Sequence, residues 1–256
     1  MSLGLLGVLL LLLITRQPLR RDRLALLTYA AGALQIYGSM MLTYWGSQHI
    51  PSGWISVVFG LTPLLTAPLA ALVLGEQSLT LPRLLSYAVG LTGLGLMFRS
   101  ALHLSQEAVL GIAAVLLAAL FQSLSSVWVK RIDARVPVLV MVCGSLLVAV
   151  PIYWLTWCLL DGHWPVVLPM RSLLSIAYLG VVATIVGFAL YFHLLRHISA
   201  GRVALITLIV PVFSLYLGLA ANQEPLHASV VAGTMLIMLA LLLHESQIFR
   251  NWRKPG

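Results

Sequence analysis

The chain has 256 residues, of which 61% are apolar and only 9% charged, with a formal net charge of +8. Its mean hydropathy is +1.02 and its isoelectric point about 10.0. A soluble domain carries about 25% charged residues, so this chain cannot cover a water-facing surface: a soluble enzyme or nucleic-acid-binding domain is excluded, and an all-α membrane protein is expected.

Spanning a bilayer takes about 20 mostly apolar residues. Apolar runs between polar breaks predict nine crossings, at 3–14, 24–45, 54–74, 84–98, 108–129, 137–159, 172–195, 203–221 and 228–244. The first run holds only 12 residues, and its basic cluster (Arg16, Arg20, Arg21, Arg23) follows it. A signal peptide has the opposite order, so that reading is rejected.

Segment 24–45 carries Thr28, Gly32, Gln35, Ser39 and Thr43 at the spacing of one helical face. Segment 54–74 repeats the pattern with Ser56, Gly60, Pro63 and Ala67, and begins at Trp54. Such stripes are often packing faces whose hydroxyls bond their own backbone. An amide in hydrocarbon is costlier and needs a partner or a cavity, which singles out Gln35 and, in segment 108–129, Gln122 beside Ser125 and Ser126. Segment 172–195 offers Gly180, Thr184, Gly187, Tyr191 and a lone His193, and Thr207 opens the next segment. Candidates for the substrate path are therefore Gln35, Ser39, Trp54, Ser56, Gln122, Ser126, Thr184, Tyr191 and Thr207. Trp54, Trp128, Trp154 and Trp157 lie near segment ends, where an interfacial belt is the default reading; Trp54 is alternatively a wall of the outer mouth.

Alternate loops differ sharply in Lys and Arg. One set holds 13 (Arg16, Arg20, Arg21, Arg23, Arg83, Lys130, Arg131, Arg135, Arg196, Arg202, Arg250, Arg253, Lys254) and the other only Arg99 and Arg171. Positive loops stay inside, so the C-terminus is expected in the cytoplasm of a multi-pass protein of the cell (inner) membrane.

The chain also repeats itself. His49, Ile50, Gly53, Pro63 and Glu76 recur as His197, Ile198, Gly201, Pro211 and Glu224, at a constant offset of 148 without a gap. Internal duplication in a membrane protein is the mark of a transporter. Five crossings separate Glu76 from Glu224, so the copies are expected to be inverted. Applied backwards, the offset aligns Met1 with Ala149, mid-segment, so the chain is expected to begin within the second helix of a five-helix repeat whose first helix is missing. The divisions are 1–98 (four helices), 108–244 (five helices) and a basic cytoplasmic tail at 245–256.

Glu76 and Glu224 read either as gates of the path or as helix-end residues near a helix N-terminus or an Arg. Pro63 and Pro211 remove a backbone donor and read as kinks, or as openings of a carbonyl to a cavity. All seven carboxylates fall in loops or at helix ends, so no proton- or sodium-coupling carboxylate is expected at mid-membrane. Cys143 and Cys158 lack His or Cys at metal spacing and read as small apolar residues. No HExxH motif, paired intramembrane Asp or Ser/His/Asp set stands at compatible depth, so no enzyme, metal or cofactor is expected.

The run Leu61-Thr62-Pro63-Leu64-Leu65 with Leu72-Val73-Leu74-Gly75-Glu76-Gln77 resembles the fourth-helix signature of the EamA family, in the drug/metabolite transporter superfamily. Ile209-Val210-Pro211-Val212-Phe213 through Glu224-Pro225-Leu226 resembles its ninth-helix signature, and Tyr178-Leu179-Gly180 through Thr184, Tyr191 and Arg196-His197-Ile198 its eighth helix. The resemblance implies inverted five-helix repeats that export or exchange a small metabolite such as an amino acid or amine. The expected partners are the lipid bilayer and a small-molecule solute, without nucleic acid; a homodimer is compatible. The alternative is a truncated, transport-inactive member or a membrane scaffold.

Overall fold

The structure, a computed structural model, describes residues 1–75, 81–102, 105–160, 162–163, 169–197, 210, 213–220 and 228–252. The described residues form helices and no strand: α1 (Ser2–Thr15), α2 (Arg23–Ala33), a π-helical segment (Leu34–Ser39), α3 (Met40–Gly46), α4 (Ser52–Phe59), α5 (Thr62–Leu74), α6 (Leu81–Leu102), α7 (Gln106–Ile132), α8 (Val138–Leu160), α9 (Met170–Tyr178), a second π segment (Leu179–Gly187), α10 (Phe188–His197) and α11 (Ala228–Trp252). Among the described residues, five stretches are long and apolar enough to cross a membrane: Arg23–Gly46, Ser52–Leu74, Gln106–Ile132, Val138–Leu160 and Ser172–Leu194. Three shorter apolar helices are Ser2–Thr15, Leu84–Met97 and Ala228–Leu243. Of the predicted segment 203–221, residues 213–220 are helical; Thr207, Pro211, Glu76 and Glu224 lie outside the described residues.

Local chemistry sets the helix ends. The Asp22 carboxylate accepts from the Ala25 N–H at 3.4 Å and caps α2. Gly75, at φ 71°, ends α5 in the left-handed region, where glycine meets no Cβ penalty. Pro63 sits in the first turn of α5, after a break at Gly60 and Leu61. Its missing N–H leaves the Phe59 carbonyl unbonded by the helix, and the Thr62 hydroxyl takes that carbonyl at 2.6 Å. The kink therefore closes on its own side chain rather than opening a carbonyl to a cavity.

The chain divides into two compact units, each drawing on both halves of the sequence. The first comprises Met1–Gly38 and Trp128–His197, the second Ser39–Val127 and Ile198–Gly256.

In the first unit α2 and α8 run parallel. The Tyr29 ring covers Gly144, the Ser145 hydroxyl lies on Gly32, and further along both helices the Tyr153 hydroxyl donates to the Ile36 carbonyl at 2.7 Å. Helix α1 runs the other way along α8. Its first residue, Ser2, accepts from Trp154 Nε1 at 3.2 Å, while past its last turn Arg20 Nη1 donates to the Ala134 carbonyl at 3.0 Å. The basic loops 16–23 and 130–135 thus meet at one end of the unit. Val8, Tyr29, Ile36, Met141, Leu146 and Phe192 fill its core.

In the second unit α6 and α11 cross antiparallel, Gly93 facing Gly233 and Gly90 facing Ala240. The 148 offset carries residue 81, the start of α6, to residue 229, one past the start of α11. Trp54, Val57, Met97, Ile112 and Ile237 fill this core.

Candidate functional site

Regular α-helix satisfies its interior carbonyls from the residue four ahead; a π turn inserts one residue and upsets that ladder. In the first π segment the Ile36 carbonyl accepts from the Tyr153 hydroxyl. The Tyr37 hydroxyl shares a 2.6 Å hydrogen bond with Thr156 Oγ1, and the Tyr37 and Tyr153 rings meet edge-on at 5.0 Å. Three side chains thereby fasten the bulge to α8. Removing the tyrosine hydroxyl with Tyr153→Phe leaves a carbonyl without that donor, and we expect a loss of about 1 kcal/mol in thermal unfolding.

Gln35 lies inside this pinned bulge. It is 3% exposed, and its Oε1 has no hydrogen-bond partner. Buried side-chain amides are ordinarily bonded, so Gln35 stands out as an acceptor left unused on a fixed helix segment. Ser145, on α8 of the same unit, likewise has a buried hydroxyl without a partner.

The second π segment contains Thr184, whose hydroxyl reaches back five residues to the Leu179 carbonyl at 2.7 Å. Thr184 and Gly180 form the seat on which Gly4 of α1 rests. The repeat offset of 148 carries residues 34–39 onto 182–187, inside the second π segment. The two π segments thus stand at the offset read from the sequence, although the residues there differ: 148 past Gln35 stands Ala183, and 148 past Ile36 stands Thr184.

The sequence-derived candidates divide between the units. Gln35, Thr184 and Tyr191 belong to the first; Tyr191 is half-buried, its ring 5.4 Å from Phe192. Ser39, Trp54, Ser56, Gln122 and Ser126 belong to the second. Ser39 is fully buried with an unbonded hydroxyl. Trp54 is 1% exposed and its indole N–H has no partner, so it is a core residue and not part of an interfacial belt. Trp128 and Trp154 are exposed, as belt residues are. Ser56 and Ser214 share a 2.6 Å hydrogen bond, and Ser126 donates to the Gln122 carbonyl at 2.8 Å, so these hydroxyls serve helix structure. Gln122 is half-buried. We expect Gln122→Leu to reduce flux in reconstituted vesicles severalfold while insertion and melting temperature stay unchanged; full flux would remove Gln122 from the path.

Sequence reasoning passed over Tyr37, Ser145, Tyr153 and Thr156. The usable signal was the pair Tyr153 and Thr156, three apart on one helical face just beyond Pro151 in an otherwise apolar span. Among the described residues no group of three His, Cys, Asp or Glu could hold a metal ion.

Comparison with known proteins places this architecture. The sequence model of the EamA-like transporter family matches residues 1–99 and 109–244. A probable amino-acid metabolite efflux pump of Escherichia coli (strain K12) is 30% identical over 213 residues, covering 80% of this chain and 70% of that protein. A probable terminal-alkyne amino-acid exporter of Streptantibioticus cattleyicolor is 24% identical over 237 residues, covering 92% and 79%. A protein of known crystal structure shares the fold with a TM-score of 0.67 at 20% identity, over 95% of this chain and 85% of that one.

Proposed function

This chain belongs to the EamA-like transporter family, and from that premise we propose that it exports or exchanges an amino acid, an amine or a similar small solute by alternating access. In this reading the chain crosses the cell (inner) membrane nine times as two inverted repeats, 1–98 and 108–244, with the C-terminal tail in the cytoplasm. The docking of loops 16–23 and 130–135 supports this orientation, since it gathers seven of the 13 biased basic residues at one end of a unit. The antiparallel crossing of α6 and α11 supports the inversion.

The observation that carries the substrate path is the unpartnered amide of Gln35 on a helix bulge clamped by Tyr37, Tyr153 and Thr156. An orphan oxygen acceptor suits a donor-bearing solute such as an ammonium group. The names of the efflux pump and exporter above point to the same solute class. No carboxylate is needed for this path, which fits exchange or gradient-driven export.

A ligand-stabilisation screen tests the proposal. A solute at 100 times its dissociation constant stabilises by about 2.7 kcal/mol, and we expect an amino acid or amine to raise the melting temperature of the purified protein. A shift with nucleosides or sugars alone would overturn the solute class.

A further inference from the structure

Among the described residues, the non-glycine residues with positive φ are Arg16 (51°), Asp133 (42°) and Arg135 (48°). All belong to the two loops joined by the Arg20–Ala134 hydrogen bond. Left-handed backbone is costly for residues with a Cβ and points to a functional constraint. At Arg16 it closes α1 through bonds from Arg16 N to Leu13 O and from Gln17 N to Leu12 O, a capping position where glycine is the usual residue. Here the chain keeps a cation in glycine's place.

Arg20 is fully committed. Its Nε and Nη2 grip both oxygens of Asp22 at 2.9 Å, its Nη1 holds Ala134, and its own carbonyl accepts from the buried Tyr29 hydroxyl at 3.0 Å. The Arg20 guanidinium holds the Asp22 carboxyl below its ordinary range, so Asp22 stays ionised and occupied. That leaves Arg16, Arg21, Arg23, Lys130, Arg131 and Arg135 without a carboxylate partner among the described residues. All except the half-buried Lys130 are exposed. Asp133 is the one other acidic residue in these loops.

Apolar side chains adjoin these charges. Leu13 and Ile14 precede Arg16, Leu24, Leu26 and Leu27 follow Arg23, and all five are exposed, as is Trp128 one turn before Arg131. Cations that adjoin exposed leucines in the chain, with an exposed tryptophan one turn away, are the composition of a boundary where headgroup phosphates meet acyl chains. A soluble anion has no use for that apolar skirt. In addition, Gln17 Oε1 is enclosed there without a donor, and a headgroup hydroxyl would supply one.

We propose that the joined loops 16–23 and 130–135 form a binding site for one anionic phospholipid, with Arg23 and Arg131 among the cations on its phosphodiester and its acyl chains along the exposed leucines of α1 and α2. The site is independent of the identity of the transported solute.

Native mass spectrometry of the full-length protein in neutral detergent, titrated with phosphatidylglycerol or phosphatidylcholine, tests this. We expect phosphatidylglycerol to be retained at least tenfold more tightly, and salt to weaken it. Each cation near a membrane surface contributes appreciably to anionic-lipid attraction, so the Arg23→Gln, Arg131→Gln double variant should lose about tenfold. The doubly substituted Arg→Lys protein should retain the lipid, and Arg99→Gln should behave as wild type. Equal retention of both lipids, insensitivity to salt, or displacement by millimolar inorganic phosphate would overturn the proposal. If the double variant fails to fold, the lipid preference and salt dependence of the unaltered protein decide.

Discussion

Gln35→Leu is expected to abolish solute flux in reconstituted vesicles, at least tenfold and to background in the simplest case, while leaving the protein at least as stable as before. The two halves of that expectation come from one observation. The Gln35 amide is buried and its Oε1 bonds nothing in the protein, so substitution by a leucine of similar size breaks no internal hydrogen bond. It also removes a desolvated polar group, whose burial costs about 1–3 kcal/mol in proteins. A structural glutamine would behave in the opposite way, losing stability when replaced. Thermal melting and flux measured on the same preparation therefore separate the roles. Lower melting with intact flux would return Gln35 to the packing residues.

A second large effect is expected at the crossing of α6 and α11. A Cβ added to Gly93 would lie 2.7 Å from the Gly233 carbonyl oxygen, and one added to Gly233 would lie 2.7 Å from that of Gly93. Both obstructions are backbone, so no rotamer change relieves them and the helices must separate. Small residues at such crossings let backbones approach closely where lipid gives no hydrophobic drive. Overpacking costs about 1–3 kcal/mol, occasionally more. We expect Gly93→Leu to exceed that range and Gly93→Ala to fall within it. Gly95 provides the control, because a Cβ there meets nothing within 4 Å. Gly95→Ala should leave the melting temperature unchanged or slightly raised, and equal damage at both glycines would contradict the close-crossing account.

Hydropathy made the membrane helices legible because it is a local property: the predicted 24–45 and 137–159 became Arg23–Gly46 and Val138–Leu160. The 148 offset was equally legible in the recurrence from His49 to Glu76, although its bearing on α6 and α11 showed only once their crossing was seen. What the sequence did not disclose is direction and partnership. Trp54 near a segment end suggested interfacial depth, but whether its ring faces lipid or core depends on helix rotation, which tertiary packing sets. The π segments left no mark in composition, because one inserted residue in an apolar helix changes neither its hydropathy nor its length appreciably. Tyr153 and Thr156 matter only because they meet Ile36 and Tyr37, more than a hundred residues away. Gln35 was legible because the cost of burying an amide is visible from its sequence position alone. Its lack of a partner was not.

The central claim is that this chain moves an amino-type solute along a path that includes Gln35. Counterflow in proteoliposomes preloaded with unlabelled amino acids or amines, and presented with the same labelled solute outside, measures it directly. The account predicts saturable uptake for at least one such solute, lost in Gln35→Leu vesicles that contain equal amounts of folded protein. Uptake no faster than in protein-free vesicles for every amino acid and amine, or equal uptake by wild type and Gln35→Leu, would contradict it.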